Sequence, residues 1–170
     1  MTHLTVISCG GTIDKIHRRG TGTGSLTIGQ PAVREIIHKY VSFNPITFQS
    51  VARMNSLDMT DQDRARIVRA CVAANSSKII ITHGLETIVE TAQAIHQSRT
   101  QIGERRAIVL TGAALPYCMK GSDAEFQIGL ALGACMNLDH GVYIAVNGIH
   151  RWDRCRINPK TGMFEFFMPT

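Results

Sequence analysis

Long hydrophobic runs are missing from this sequence, and so are paired cysteines and interleaved aromatic and basic residues. No apolar stretch reaches the roughly 20 residues a membrane span needs. The chain arrives at Asp14 and Lys15 without a positively charged leader or a small-residue cleavage site, so a cytoplasmic protein with no membrane partner is expected. Five cysteines, Cys9, Cys71, Cys118, Cys135 and Cys155, form no CxxC pair and are odd in number. That pattern fits reduced thiols better than a disulfide framework and offers no zinc-site spacing, so no metal is expected. Aromatic residues make up only 6% of the chain, and the arginines at 18–19, 64/66/69, 105–106 and 151/154/156 lack the stacking partners that nucleic-acid platforms use. The net charge of +5 therefore reads as solvated helix faces and strand ends, with no nucleic-acid partner.

What is present is a core. Of 170 residues 44% are hydrophobic, enough for one well-buried domain and too little for two, so residues 1–170 read as a single domain. Leu4-Thr5-Val6-Ile7-Ser8-Cys9 is an apolar, β-branched run closed by Gly10-Gly11-Thr12, a buried strand ending in a turn that delivers a hydroxyl. Residues 17–24 have no periodicity and three glycines at alternate positions, which suits either a lid or an ordinary surface loop. Pro31 opens a helix with Val33, Ile36 and Ile37 on one face. Residues 45–51 form a second strand that runs into Ser56-Leu57-Asp58-Met59, and Thr60 with Asp63 caps the next helix. Ser56 and Asp58 also fit as plain turn residues ahead of that cap.

A continuous β-branched run at 78–82 is a third strand, of the kind buried on both faces of a parallel sheet. His83-Gly84-Leu85-Glu86-Thr87 follows it, then a helix. Residues 107–110 give a fourth strand ending in Thr111-Gly112-Ala113. Ser122 with Glu125 reads as a capping box before residues 126–136, which are apolar enough for a helix buried nearly all round, either by the sheet and its neighbours or by another subunit. Residues 141–146 make a fifth strand, and 149–157 and 163–167 two short strands around a turn. The apolar helix and the Phe164, Phe166, Phe167 cluster together lead to an expected homo-oligomer.

Five alternations of strand and helix define an α/β domain, a doubly wound, mainly parallel sheet with helices on both faces. Ligands bind such sheets at the carboxyl ends of the strands. The residues gathered there are Gly11 and Thr12, Ser56 with Asp58, His83 with Glu86 and Thr87, and Thr111.

Gly10-Gly11-Thr12-Ile13, Ser56-Leu57-Asp58-Met59, Thr82-His83-Gly84-x-Glu86-Thr87 and Thr111-Gly112-Ala113, in that order, resemble the bacterial-type L-asparaginases. The likeness spans the chain but only the N-terminal catalytic domain of the usual two-domain enzyme. It implies hydrolysis of a side-chain carboxamide, that of L-asparagine and possibly L-glutamine, to a carboxylate and ammonia, with no cofactor. It makes Thr12 the nucleophile and gives Ser56 and Glu86 the substrate's α-carboxylate and α-amine. The catalytic candidates are thus Thr12 and Glu86, and the substrate-binding candidates Gly11, Ser56, Asp58, His83, Thr87 and Thr111.

The pattern also departs from the family's. A threonine of its second triad is Leu85 here, the neighbouring aspartate is Glu86, the lysine falls on Arg156, the lid tyrosine on Leu26 and a glutamine on Leu57. Leucine relays no proton, and arginine is always charged. Three readings follow: an asparaginase-type amidohydrolase with altered or weak catalysis, in which His83 or Tyr117 carries the proton; a non-catalytic module binding an amino acid or small polar ligand; and a hydrolase for a more apolar substrate. His83 also fits a purely internal role at a helix start.

Overall fold

Residues 3–17, 25–41 and 45–167 are described by a computed structural model of the protein. The first strand, β1 (Leu4–Gly10), is buried at all seven positions, because apolar side chains leave both of its faces. A 3-10 turn (Thr12–Asp14) leads into a hairpin of β2 (Lys15–His17) and β3 (Leu26–Ile28), then α1 (Ala32–Tyr40) and β4 (Ile46–Met54). Next come a 3-10 turn (Ser56–Asp58), α2 (Asp61–Ala73), β5 (Lys78–Thr82) and a third such turn (Leu85–Thr87). The chain continues through α3 (Ile88–Gln97), α4 (Arg99–Ile102), β6 (Ala107–Thr111), α5 (Ala124–Asn137), β7 (Gly141–Ala145), β8 (Ile149–Arg151), β9 (Cys155–Ile157) and β10 (Phe164–Phe166).

The main sheet runs β4-β1-β5-β6-β7-β8, parallel except for β8. Successive strand residues feed opposite cores. Ile79, Ile81, Ile108 and Leu110 pack with Ile67 and Cys71 of α2 and Ile88 and Ile95 of α3. Ile80 and Val109 pack instead with Val33, Ile36 and Ile37 of α1 and Ile128 and Cys135 of α5. Helices therefore cover both faces, as the alternation implied. The order of the strands reverses at β1, which lies between β4 and β5, and a switch of this kind opens a crevice beyond the carboxyl ends of those strands.

Four details differ from the sequence reading. The capping box expected at Ser122 and Glu125 does not form: Asp123 occupies the N-cap, Ser122 Oγ accepts from Ala124 N at 3.1 Å, and Glu125 is drawn to Lys39 and Tyr40 of α1. Helix α5 is not covered all round by its own chain, since Phe126 stands 62% exposed and Gly129 and Gly133 share its open side. The segment 149–157 is broken by a 3-10 turn at Trp152–Arg154, so that β8 joins the main sheet while β9 pairs with β10. Helix α4 was not anticipated. The loop expected at 17–24 keeps His17 in β2, and its other residues lie outside those described. No described helix is long and apolar enough to cross a membrane, and all five cysteines are free.

Candidate functional site

Three loops meet beyond β1, β4 and β5, and glycines decide how closely. Gly10 and Gly11 hold φ of +88° and +86°, a region that side chains rarely adopt, and Gly11 N donates to Met54 O at 3.0 Å. A Cβ on Gly10 would lie 2.6 Å from Met54 N, and one on Gly11 2.5 Å from Gly84 N. The end of β1 is thus pressed between the loops of its two neighbours. This fixes the turn that carries Thr12, which is half-buried and whose hydroxyl makes no hydrogen bond to a described residue.

Beside it, Ser56 Oγ donates to Glu86 Oε2 at 2.7 Å, and Thr87 Oγ1 donates to Ser56 O at 2.9 Å. Gly84 makes this pairing possible: a Cβ there would fall 2.5 Å from Ser56 Oγ and 3.0 Å from Glu86 Oε2. Ser56 is buried and Glu86 exposed, so the carboxylate caps the serine from the solvent side. Gly11, Ser56, Glu86 and Thr87 are therefore brought together next to Thr12. Asp58 lies on the same turn as Ser56 with its side chain exposed and without a hydrogen-bonded partner among the described residues.

His83 and Thr111 stand differently. The rim contains their backbones, while their side chains turn inward and are fully buried. His83 Nδ1 lies 2.7 Å from Gly84 O and Nε2 2.8 Å from Thr91 Oγ1. A carbonyl can only accept, so Nδ1 carries the proton and Nε2 accepts from Thr91. Burial pushes this imidazole down to about 4, with a nearby Arg64 charge also lowering it, which keeps it neutral. Thr111 Oγ1 donates to Ala145 O at 2.7 Å. What both residues offer the rim is loop position: a Cβ on Gly112 would meet His83 O at 2.2 Å.

Leu85 packs on the α2/α3 core, its Cδ2 3.0 Å from that same hypothetical Cβ. Arg156 sits on β9, bonded to Glu165 Oε1 at 2.6 Å with its guanidinium over the Phe167 ring. Tyr117 donates to Glu35 of α1 at 3.2 Å, and its backbone N to Ile13 O.

Two residues at the site escaped the sequence reading. Asp14 O accepts from Gly29 N at 2.7 Å while its Oδ1 accepts from Ala32 N at 2.8 Å, so one residue ties the Thr12 turn to the exit of the β2/β3 hairpin and to the start of α1. Burial lifts its carboxyl to about 6, against the pull of the Ala32 bond and of Arg53. Arg53 fastens the same corner, its Nε and Nη2 donating to Gly29 O at 3.1 and 2.8 Å. The partners lie 15 to 24 positions apart in sequence, where no local spacing reveals them.

This is a doubly wound α/β domain, of the class whose ligand sites lie at strand ends, with an unbonded threonine hydroxyl on the β1 turn and a serine–carboxylate pair on the loops pressed against it. More narrowly, the chain belongs to the asparaginase family: the sequence model described as Asparaginase, N-terminal matches residues 3–162. Among solved structures it is similar to the thermostable L-asparaginase of Thermococcus kodakarensis (24% identity, TM-score 0.82, 97% of this chain and 51% of that one). It is also similar to L-asparaginase I of Vibrio cholerae (20%, 0.78, 97% and 51%) and to a probable cytoplasmic L-asparaginase of Campylobacter jejuni (22%, 0.73, 92% and 50%). At these identities the likeness is one of fold, and the chain spans about half the length of each. No curated protein matches the sequence.

Proposed function

We propose that the chain acts on the side-chain carboxamide of a small amino acid such as L-asparagine, with Thr12 as nucleophile. The observation that carries this reading is the Ser56–Glu86 pair seated against the Gly11–Thr12 turn. The Thr12 oxygen would bond to the carboxamide carbon, the C–N bond would break with loss of ammonia, and water would resolve the acyl-enzyme. Ser56 suits an α-carboxylate, to which its hydroxyl donates, and Glu86 an α-ammonium, which it accepts from and neutralises. The five free thiols accord with a reducing, cytoplasmic setting.

Catalysis of this kind needs a base for the hydroxyl, and the groups at hand support a reading of weak turnover. His83 is held neutral but sealed and already bonded at both nitrogens, Leu85 is committed to the core, and Arg156 to Glu165. These commitments favour a second reading, a crevice that binds an amino acid with little turnover.

Ammonia release from L-asparagine, L-glutamine and a small amide panel tests the first reading. Slow release by the unaltered protein, falling about a hundredfold or more in Thr12→Ala, is expected, since positioned nucleophile and acid–base help are worth roughly 10²–10⁴-fold. Equal rates in the two proteins would refute Thr12 as nucleophile. Calorimetric binding of L-aspartate, weakened in Ser56→Ala, without ammonia release would establish the second.

A further inference from the structure

At the opposite end of the sheet, where β7 begins and β8 ends, a cavity of about 220 Å³ is walled by His96, Arg99, His140, Tyr143, Arg151 and Trp152. It lies at the amino ends of the parallel strands, away from the Thr12 turn, and no acidic side chain lines it. The nearby acids are otherwise placed. Asp153 pairs with Arg151 at 3.1 Å on the exposed side, and Glu104 and Asp139 line a neighbouring depression with Arg105 and His140.

Two arginines put positive charge on its wall. Arg99 is fixed by donating to the carbonyl oxygens of Arg106, at 2.7 Å, and Glu104, yet it forms no ion pair with a described residue. Glu104 attracts this half-buried charge only through space, and burial outweighs that attraction and lowers its pKa from the ordinary value. The indole N–H of Trp152 is closed off from solvent, so the ring borders the cavity without donating into it. Arg151, held only by an exposed pair, is free to turn inward at little cost.

We infer that this cavity is a binding site for a small oxyanion, a phosphate- or carboxylate-bearing molecule held by Arg99 and Arg151 beside Trp152. Guanidinium groups are donors only, so an occupant held by them must supply acceptors and negative charge. The volume admits about seven waters at ~30 Å³ each, which accommodates inorganic phosphate or a four-carbon dicarboxylate and excludes a nucleotide.

Trp152 is the chain's one tryptophan, so its fluorescence and its indole ¹H–¹⁵N resonance report on this cavity alone. Inorganic phosphate and succinate are titrated separately, with sodium chloride at matched ionic strength as reference. A saturating shift of the indole signal with phosphate, succinate or both, and none with chloride, is expected, and the responding arm identifies the anion's class. Binding should weaken at least tenfold in Arg99→Gln and severalfold in Arg151→Gln, whose exposed pair leaves folding intact. Non-saturating shifts, the same shift with chloride, or unchanged binding in Arg151→Gln and in any folded Arg99→Gln protein would overturn the assignment.

Discussion

A methyl group on Gly84 would come to rest 2.5 Å from Ser56 Oγ, 2.7 Å from Ser56 Cβ and 3.0 Å from Glu86 Oε2. Ser56 is buried and cannot retreat, so Gly84→Ala must separate the Ser56–Glu86 pair or move the loop that carries it. Overpacking of this sort costs roughly 1–3 kcal/mol. Gly129 makes the matched control, because it lies inside α5 with nothing within 4 Å of a Cβ. Gly129→Ala should stabilise by about 0.5–1 kcal/mol through helix propensity alone. Denaturant midpoints are expected to move in opposite directions for the two variants, with L-aspartate binding lost only in Gly84→Ala. At this scale the sequence was legible where a glycine pair ended an apolar run, as at the Gly11–Thr12 turn after β1. It was opaque where the answer depended on which way a side chain turns. His83 and Thr111 sit on the rim by sequence and inside the protein by side chain, since β5 and β6 are buried on both faces, and Thr111 at the end of β6 and His83 just after β5 inherit that burial.

Among the elements, two capping boxes with similar sequence signatures had different fates. At α2 the reciprocal arrangement forms: Thr60 N donates to Asp63 Oδ2 at 2.9 Å and Asp63 N to Thr60 Oγ1 at 3.3 Å. At α5 it does not, because Glu125 finds Lys39 at 2.8 Å and Tyr40 at 2.8 Å across the α1 interface, contacts 85 and 86 positions away that outcompete a local bond. Thr60→Ala should therefore cost about 1 kcal/mol, typical of losing an N-cap hydroxyl. For a domain of this size that is a fall of roughly 2–4 °C in Tm, readable by circular dichroism. A Tm within 0.5 °C of the parent would mean that Asp63 caps the helix alone, through its bond to Thr60 N. The strands were read well where hydrophobic runs were continuous and poorly at 149–157. That segment alternates correctly but is split by Trp152–Arg154, whose turn is set by packing against α3, with His96 and Trp152 rings 5.1 Å apart.

For the molecule as a whole, two buried groups set opposing responses to acid. His83 titrates near 4 in the folded protein, below its ordinary 6.5, so the unfolded chain takes up the proton first and acidification from about 6.5 to 4 favours unfolding. Asp14 titrates near 6, above its ordinary 3.8, so the folded protein takes up the proton first and acidification over about 6 to 4 favours folding. Between pH 6 and 4.5 the two slopes oppose, and the Tm of the unaltered protein should be nearly flat. Below pH 4.5 stability should fall, because Asp63, Glu125 and Glu165 are held below their ordinary values, chiefly by hydrogen bonds from Thr60, Lys39 and Asn158 respectively, and lose those contributions on protonation. Asp14→Asn keeps an acceptor for Ala32 N while removing the titration. Its Tm should then fall steadily from pH 6.5 to 4.5, as His83 acts unopposed, with the variant above the unaltered protein at the upper end, where buried Asp14 is ionised, and converging on it toward the lower end. Thermal unfolding at half-unit pH steps measures both profiles. An Asp14→Asn profile as flat as that of the unaltered protein would show that these two groups do not offset each other. The carboxyl that ties the Thr12 turn to α1 would then have to be ionised in the folded state throughout that range.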